Sequence, residues 1–211
     1  MAYIKFSVPA TYVVSDVTLS GKSFWIYKLL KEKECMFDKY PEKILYCYSV
    51  WQPLFDKMKN ELGVIFHEGV PTSEEILSIG DPNIHTLICL DDLQHDIVNN
   101  VSIEKLFPQW CHHKCISVIF VNQNLFYQGK CSRTLTLNTM YTILLKNYRN
   151  VQQVEVLGRQ LGKGSLLKEA YLDAISKPYG YLVVDLNPRV SDVIQLRTNI
   201  FPDEQPVVIY R

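Results

Sequence analysis

The stretch "DVTLSGKSFW", residues 16–25, resembles the second half of a phosphate-binding loop. Gly21-Lys22-Ser23 matches the end of the pattern Gly-x₄-Gly-Lys-Ser/Thr. An apolar run precedes the stretch and an amphipathic run, Phe24 to Leu30, follows it, which predicts a strand, a loop and a helix. In that arrangement backbone amides converge on phosphate oxygens, and the helix dipole favours their negative charge. The pattern predicts that a nucleotide contacts Ser20, Gly21, Lys22, Ser23 and Phe24.

Asp16 is the residue of this loop that argues against a working site, because it stands where the pattern has its first glycine. Glycine permits a positive φ and a close approach of the backbone to phosphate. Aspartate tolerates the left-handed region, so the loop can still form. A carboxylate beside a polyphosphate nevertheless lowers affinity unless it points to solvent. Two interpretations therefore stay open at this point, a working nucleotide site and a lost one in a retained fold.

The rest of the chain alternates short apolar runs with amphipathic stretches, which predicts a mostly parallel sheet with helices on both faces. No repeat or linker divides the sequence, so we expect residues 1–211 to form a single α/β domain. Predicted helices cover residues 23–33 and 51–62, a third follows a Thr72–Glu75 capping box, and a fourth has Ser165 as its cap. The predicted strands are Thr11 to Ser15, Ile44 to Tyr48, Val64 to His67, Thr86 to Leu90, Ile116 to Asn122, Tyr141 to Lys146, Tyr181 to Asp185 and Val207 to Tyr210.

Composition excludes several classes of protein. The formal net charge of the 211 residues is +0, so a generally basic surface for nucleic acid is absent, although a local basic loop would not show in that sum. No apolar run approaches the roughly 18 residues that span a bilayer, and the first residues do not resemble a signal peptide. The 6 cysteines are scattered, which indicates free thiols in a reducing, intracellular compartment. The spacing in Cys111-His112-His113-Lys114-Cys115 does not match a zinc site.

Two further strands end in polar residues that suit phosphate chemistry. "LICLDDL", residues 87–93, is an apolar run that ends in two acids. We expect Asp91 to hold Mg²⁺ together with Ser23, and Asp92 to orient or activate a water molecule. "ISVIFVNQN", residues 116–124, ends in amides, of which Gln123 is the candidate sensor of the γ-phosphate and Asn124 the second choice. Ordinary strand-end turns would explain the same residues.

Longer stretches carry a resemblance to a known family. They are "YCYSVWQPLFDKM" (46–58), "LICLDDL" (87–93), "CHHKCISVIFVNQNLFYQGK" (111–130), "SRTLTLNTMYTILLKNYRN" (132–150), "EAYLDAISKPYGYLVVDL" (169–186) and "QLRTNIFP" (195–202). Together they resemble the DNA-packaging ATPases of Polinton/Maverick elements and related large DNA viruses, in the FtsK–HerA division of P-loop ATPases. The resemblance runs from about Val13 to Pro202.

The resemblance implies a three-layer P-loop NTPase fold of the type with an additional strand between the two Walker strands. It assigns Lys22 and Ser23 to Walker A, Asp91 and Asp92 to Walker B, and Gln123 to the sensor. It implies ATP and Mg²⁺ as cofactors, double-stranded DNA and a capsid portal or vertex as partners, and a ring-shaped homo-oligomer, usually a hexamer. The implied location is inside the host cell, in cytoplasm or nucleus, or with the virion, and no membrane is involved.

The family also implies an arginine finger, supplied by the neighbouring subunit, that stabilises the charge developing in phosphoryl transfer. This chain has Lys114 at the position where relatives carry the arginine, and lysine keeps the charge but lacks the planar fork. Arg133, Arg149 and Arg159 are alternative fingers.

Three hypotheses for the function follow. The first is an ATP-hydrolysing DNA-packaging motor. The second is a catalytically inactive P-loop relic that acts as a binding or scaffold protein, which Asp16 and Lys114 favour. The third is a small-molecule kinase, which the lack of an arginine cluster between Asp92 and Asn122 argues against.

Overall fold

The computed structural model describes residues 4–15, 21–97, 111–126 and 137–211, except for the side chain of His112. Within these ranges the chain forms a nine-stranded sheet. Its strands are β1 (Thr11–Ser15), β2 (Lys43–Tyr48), β3 (Ile65–Glu68), β4 (Thr86–Asp91), β5 (Ile116–Asn122), β6 (Tyr141–Leu145), β7 (Tyr181–Asp185), β8 (Leu196–Thr198) and β9 (Val208–Tyr210).

The described helices are α1 (Lys22–Lys31), α2 (Lys33–Met36), α3 (Pro53–Leu62), α4 (Ser73–Ile79), α5 (Gln94–Ile97), α6 (Cys111–His113), α7 (Val151–Gln160) and α8 (Gly164–Ala174). Short 3₁₀ helices cover Tyr148–Asn150, Asp192–Ile194 and Pro202–Glu204. Among the described residues no helix is both long and apolar enough to cross a bilayer. The cysteines that fall in these ranges are free thiols.

The sheet is mostly parallel, as the alternating pattern predicts. Its strand order is β3-β2-β4-β5-β1-β6-β7-β8-β9. The first six strands pair in parallel, and β7, β8 and β9 add antiparallel pairs at one end. Strand β5 lies between β1, which leads into the phosphate loop, and β4, which ends in the acidic pair. The expected additional strand between these two strands is therefore confirmed.

Helices cover both faces of the sheet, which confirms the three-layer architecture. Along β2, Tyr46 packs into a core with α1 and α3, whereas its neighbour Cys47 packs on the opposite face with α4 and α5. The helices α7 and α8 cover that opposite face over β6 and β7. Strands β4 and β5 are buried along their whole length. Burial on both faces explains why these strands read as continuous apolar runs.

Several helix boundaries follow from local chemistry. The capping box is present, because Thr72 accepts a hydrogen bond from the Glu75 amide and the Glu75 side chain accepts one from the Thr72 amide. Helix α3 begins at Pro53 instead of Trp51, since proline suits the first helical turn, where its missing N–H costs nothing. The prediction of Ser165 as a cap is wrong. Helix α8 begins at Gly164 with Lys163 as its N-cap residue, and Gly162 before it has a left-handed backbone.

Two elements have too little apolar signal to be predicted. Strand β8 is only three residues long and has a charged residue, Arg197, at its centre. The Arg197 side chain is fully buried and donates a hydrogen bond to Asp185 at 2.8 Å. Helix α7 buries only Val154, Leu157 and Gly158. A Cβ on Gly158 would lie 2.8 Å from the backbone oxygen of Gly164, so glycine allows α7 and α8 to pack closely.

Candidate functional site

The candidate site lies where the carboxyl ends of β1, β4 and β5 meet at one edge of the sheet. Asp91, the last residue of β4, is in register with Val121 of β5, and Val121 is in register with Val14 of β1. Asp92 and Gln123 follow directly after their strands. In open α/β sheets, ligands bind at this edge, in the crevice outside the strand ends.

Gly21 is the N-cap residue of helix α1. Its φ of 93° lies in the left-handed region, which favours glycine. A Cβ at this position would also lie 3.2 Å from the ring of Tyr179. Among the described residues no side chain caps α1, and the first turn of the helix carries no acidic residue. The first amides of α1 and the positive end of its dipole are therefore available for an anion beside Lys22.

Asp91 is a buried carboxylate fixed by two hydroxyl groups. Tyr46 donates a hydrogen bond to Asp91 Oδ2 at 2.6 Å, and Ser23 Oγ lies 3.4 Å from the same oxygen. Burial raises the pKa of Asp91, and the Tyr46 hydrogen bond and the Lys22 charge oppose that rise. The pKa of Asp91 stays raised on balance, so a cation bound beside it would favour the ionised form, which is the form that coordinates a metal.

The oxygen ligands of Ser23 and Asp91 fit Mg²⁺. This ion keeps several waters and binds through one or two carboxylates plus substrate phosphates, so it needs few protein ligands. The described residues contain no group of three or more His, Cys, Asp and Glu side chains that could hold a metal by themselves. Two oxygen-bearing side chains 3.4 Å apart, beside the N-terminus of α1, fit this pattern of Mg²⁺ ligands.

Asp92 and Gln123 form a second polar pair at the same edge. Gln123 Nε2 donates a hydrogen bond to Asp92 Oδ1 at 2.8 Å. The backbone of Asp92 has a φ of 55°, a conformation that aspartate tolerates better than most residues. Both side chains are exposed, so a water molecule and a substrate can reach them. Asn124 accepts a hydrogen bond from the Phe126 amide and serves the strand-end turn instead.

The start of α1, the acidic pair and Gln123 line one cleft of about 540 Å³. One wall consists of residues 21–24, the opposite wall of Asp91, Asp92 and Gln123, and residues 52–54 form a third side. A cleft of this size matches small-molecule sites in general. The structure thus brings the candidate residues Gly21, Lys22, Ser23, Phe24, Asp91, Asp92 and Gln123 together, whereas Ser20 lies outside the described residues, as do Asp16 and Arg133.

Lys114 is the candidate that the structure does not bring to this cleft. It precedes β5, whereas Gln123 follows the same strand, and β5 is seven residues long. A strand of that length spans about 23 Å, so Lys114 lies at the opposite edge of the sheet. Its Cβ packs near Gly80 instead. Within one chain Lys114 cannot reach the phosphate site.

Sequence reasoning missed Tyr46 and residues 52–54 as parts of this site. Tyr46 lies inside the apolar run of β2, where tyrosine is an ordinary strand residue. Its contact with Asp91 depends on β2 lying next to β4, and no motif in the sequence signals that pairing.

Comparison with known proteins shows a likeness of fold. No family model matches the chain, and no curated protein matches it by sequence. Among solved structures, the genome-packaging NTPase B204 of Sulfolobus turreted icosahedral virus 2 bound to ATPγS is 10% identical, with 96% of this chain and 97% of B204 covered and a TM-score of 0.50. Its sulfate complex gives a TM-score of 0.53 at 10% identity, with 96% of both chains covered. The DNA-packaging ATPase B204 of Sulfolobus turreted icosahedral virus is 11% identical over 96% of this chain and 97% of B204, with a TM-score of 0.51. The protein therefore has the mostly parallel, three-layer α/β fold of P-loop NTPases, with its candidate site at the phosphate-loop edge of the sheet.

Proposed function

We propose that the protein binds ATP with Mg²⁺ and hydrolyses it as a subunit of a DNA-packaging motor. The observation that carries this proposal is that the phosphate loop and the polar ends of two strands face each other across one cleft. Ser23 of the phosphate loop lies 3.4 Å from Asp91, and Asp92 accepts a hydrogen bond from Gln123 beside them. A binding scaffold would not need Asp92, because this carboxylate is placed to act on a water molecule and not to hold phosphate or metal.

Each side chain of the cleft has its own role in phosphoryl transfer. Lys22 and the first amides of α1 bind the β- and γ-phosphate oxygens, and Ser23 with Asp91 holds Mg²⁺, which neutralises developing charge when bound. Gln123 fixes one oxygen of Asp92. The other oxygen is then left to orient a water molecule and take its proton while the water attacks the γ-phosphorus and the bond to the β-phosphate oxygen breaks.

The resemblance, which implies a basic finger supplied by a neighbouring subunit, supports action as an oligomer. Lys114 lies at the sheet edge opposite its own cleft, so as a finger it serves a site on a neighbouring copy. A positive charge from a neighbour stabilises the transition state in many P-loop enzymes. We propose a ring of identical subunits, six in number by resemblance, with one cleft at each interface.

The packaging role rests on the resemblance and on the B204 proteins, which are described as genome-packaging or DNA-packaging. We propose double-stranded DNA and a capsid portal or vertex as partners, and the host cell or the virion as the location.

The inactive relic is the second candidate, and Asp16 in the phosphate loop is what favours it. Measuring the hydrolysis of Mg²⁺–ATP with and without duplex DNA distinguishes the motor from the relic. The motor predicts hydrolysis that rises with DNA and is lost in Asp92→Asn, while Asp96→Asn, an exposed acid four residues further along, keeps full activity. If the protein binds ATP but does not hydrolyse it, with or without DNA, the inactive relic is the correct interpretation.

A further inference from the structure

A second and much smaller cleft, of about 50 Å³, adjoins Gly21 and does not include the acidic pair. It is lined by Phe24, Trp25, Tyr179, Tyr181 and Phe201, which we call the aromatic cleft, together with Lys28, Leu145 and Glu204. Gly21 and Phe24 line both this cleft and the phosphate cleft. The two cavities therefore adjoin at the helix end where the phosphates are proposed to bind.

Tyr179 is the most unusual residue of the aromatic cleft. Its side chain is 72% exposed, although an aromatic ring gains by burial. Its backbone has a φ of 56°, which is a rare conformation for a bulky residue. The ring lies against Gly21, where a Cβ would approach it to 3.2 Å. A strained backbone that holds an exposed ring beside a binding loop is typical of a ligand contact.

Phe24 adds a second exposed ring at the same place. It is 55% exposed and belongs to the first turn of α1, so it lies beside the amides that face the phosphates. Two exposed rings that flank one glycine offer π-faces to a flat ligand. Stacking on such faces is how proteins commonly hold nucleobases.

Trp25 forms part of the buried wall of the cleft. The residue is only 4% exposed, and its indole nitrogen has no contact with solvent. Its ring packs edge-on against Tyr181 and Phe201, which holds the aromatic side chains of the cleft in place.

Glu204 gives the cleft an acceptor. Its two carboxylate oxygens are fixed by Lys28 Nζ at 2.7 Å and by the Tyr181 hydroxyl. A carboxylate has about four lone-pair sites, so it can still accept a hydrogen bond from an exocyclic amine. Lys28 also lies 4.7 Å from the centre of the Phe201 ring, which holds this side of the cleft in place.

We propose that the base of the nucleotide, an amino-purine, stacks on the exposed ring of Tyr179 beside Phe24, at the mouth of the aromatic cleft. This inference rests on the proposed function, since it places the base next to phosphates bound at Gly21 and Lys22. Tyr179 then acts as the residue that sets base affinity, and the Glu204 carboxylate is the nearest acceptor for an amino group on the edge of the ring.

The test compares binding of Mg²⁺–ATP and of Mg²⁺–tripolyphosphate, which has the phosphates but no base, by calorimetry. In Tyr179→Ala we expect the Kd for ATP to rise about 10- to 100-fold, while the Kd for tripolyphosphate stays unchanged. Tyr179→Phe keeps the stacking face and should bind ATP like the wild type. Tyr148→Ala removes another exposed tyrosine ring, 61% exposed and outside the cleft, and is the matched control.

Two other outcomes would overturn the proposal, and they differ. If Tyr179→Ala binds ATP as tightly as the wild type while Lys22→Ala does not, the base lies elsewhere and the phosphate site stands. If the wild-type protein binds neither ATP nor tripolyphosphate, the proposed function fails as well.

Discussion

Gln123 donates a hydrogen bond to Asp92 at 2.8 Å across the ends of two neighbouring strands. The pair places an amide that can sense a phosphate in contact with a carboxylate that can activate water. Neither residue is in the phosphate loop, and the sheet order alone brings them together, because β4 and β5 are adjacent.

This pair predicts separate effects on turnover and on binding. Asp92→Asn should lower kcat for ATP by a factor of about 10²–10⁴, because the group that takes the proton from water is lost. The Kd for ATP should change little, since Asp92 holds neither phosphate nor metal. Gln123→Ala should lower kcat less, and Asn124→Ala, its neighbour outside the pair, should leave kcat unchanged. A large loss of ATP binding in Asp92→Asn would contradict this division.

Two buried tyrosines give a matched pair of stability predictions. Tyr46 and Tyr12 are both fully buried, yet only the Tyr46 hydroxyl has a partner, Asp91, whereas the Tyr12 hydroxyl has none among the described residues. Tyr46→Phe should lower the free energy of unfolding by about 1.5–3 kcal/mol, the usual value for a hydrogen bond to a charged group. Tyr12→Phe should cost nothing or stabilise slightly. Urea titrations measure both, and equal losses would contradict the account.

The buried His85 should make the free energy of unfolding depend on pH. It is fully buried, its Nδ1–H donates to the Lys39 carbonyl at 2.8 Å, and its Nε2 accepts from Ser117 Oγ at 2.8 Å. Burial lowers the pKa of His85 from 6.5 to about 4. The unfolded chain therefore binds a proton more readily than the folded one between these two values.

Stability must then fall as the pH drops from 6.5 towards 4, by up to about 3 kcal/mol from this residue. Urea unfolding at several pH values measures the slope. The variant His85→Gln should be less stable at pH 7 but should lose less of its remaining stability over the same range. Parallel curves for the two proteins would show that His85 does not titrate in this way.

The proposed ring makes a prediction about mixtures. Lys114→Ala should lower hydrolysis by a factor of about 10²–10³, somewhat less than the loss of an arginine finger, because lysine lacks the planar fork. Its ATP affinity should be unchanged, and Lys168→Ala, on the outer helix α8, should keep full activity. Lys114→Ala and Asp92→Asn subunits should each be inactive alone but regain part of the activity when mixed. No recovery in the mixture would contradict a finger supplied by the neighbour.

Much of the fold could be predicted because apolar runs report burial directly. Strands β4 and β5 are buried throughout, and their continuous apolar sequences gave their positions to within one residue. Strand β8 could not be predicted, since its charged Arg197 is buried only through the pairing with Asp185. That pairing joins residues 12 positions apart on different strands, so it exists only once β7 and β8 lie side by side.

The candidate site was predictable where a motif fixes a residue's place along a strand or loop. Lys22, Ser23, Asp91 and Asp92 follow from the positions of polar residues after apolar runs. Tyr46 and Tyr179 do not, because one depends on the order of strands in the sheet and the other on a loop that folds back onto Gly21.

The most direct test of the central claim is the affinity of the wild-type protein for Mg²⁺–ATP, measured against two lysine variants of the same helix. Lys22→Ala removes the proposed phosphate ligand at the start of α1, and Lys31→Ala removes an exposed lysine at its end. Asp16→Gly restores the glycine of the loop pattern. We expect saturable binding in the wild type and in Lys31→Ala, a loss of binding in Lys22→Ala, and tighter binding in Asp16→Gly. Absence of binding in the wild type, with or without Mg²⁺, would contradict a working nucleotide site in this protein.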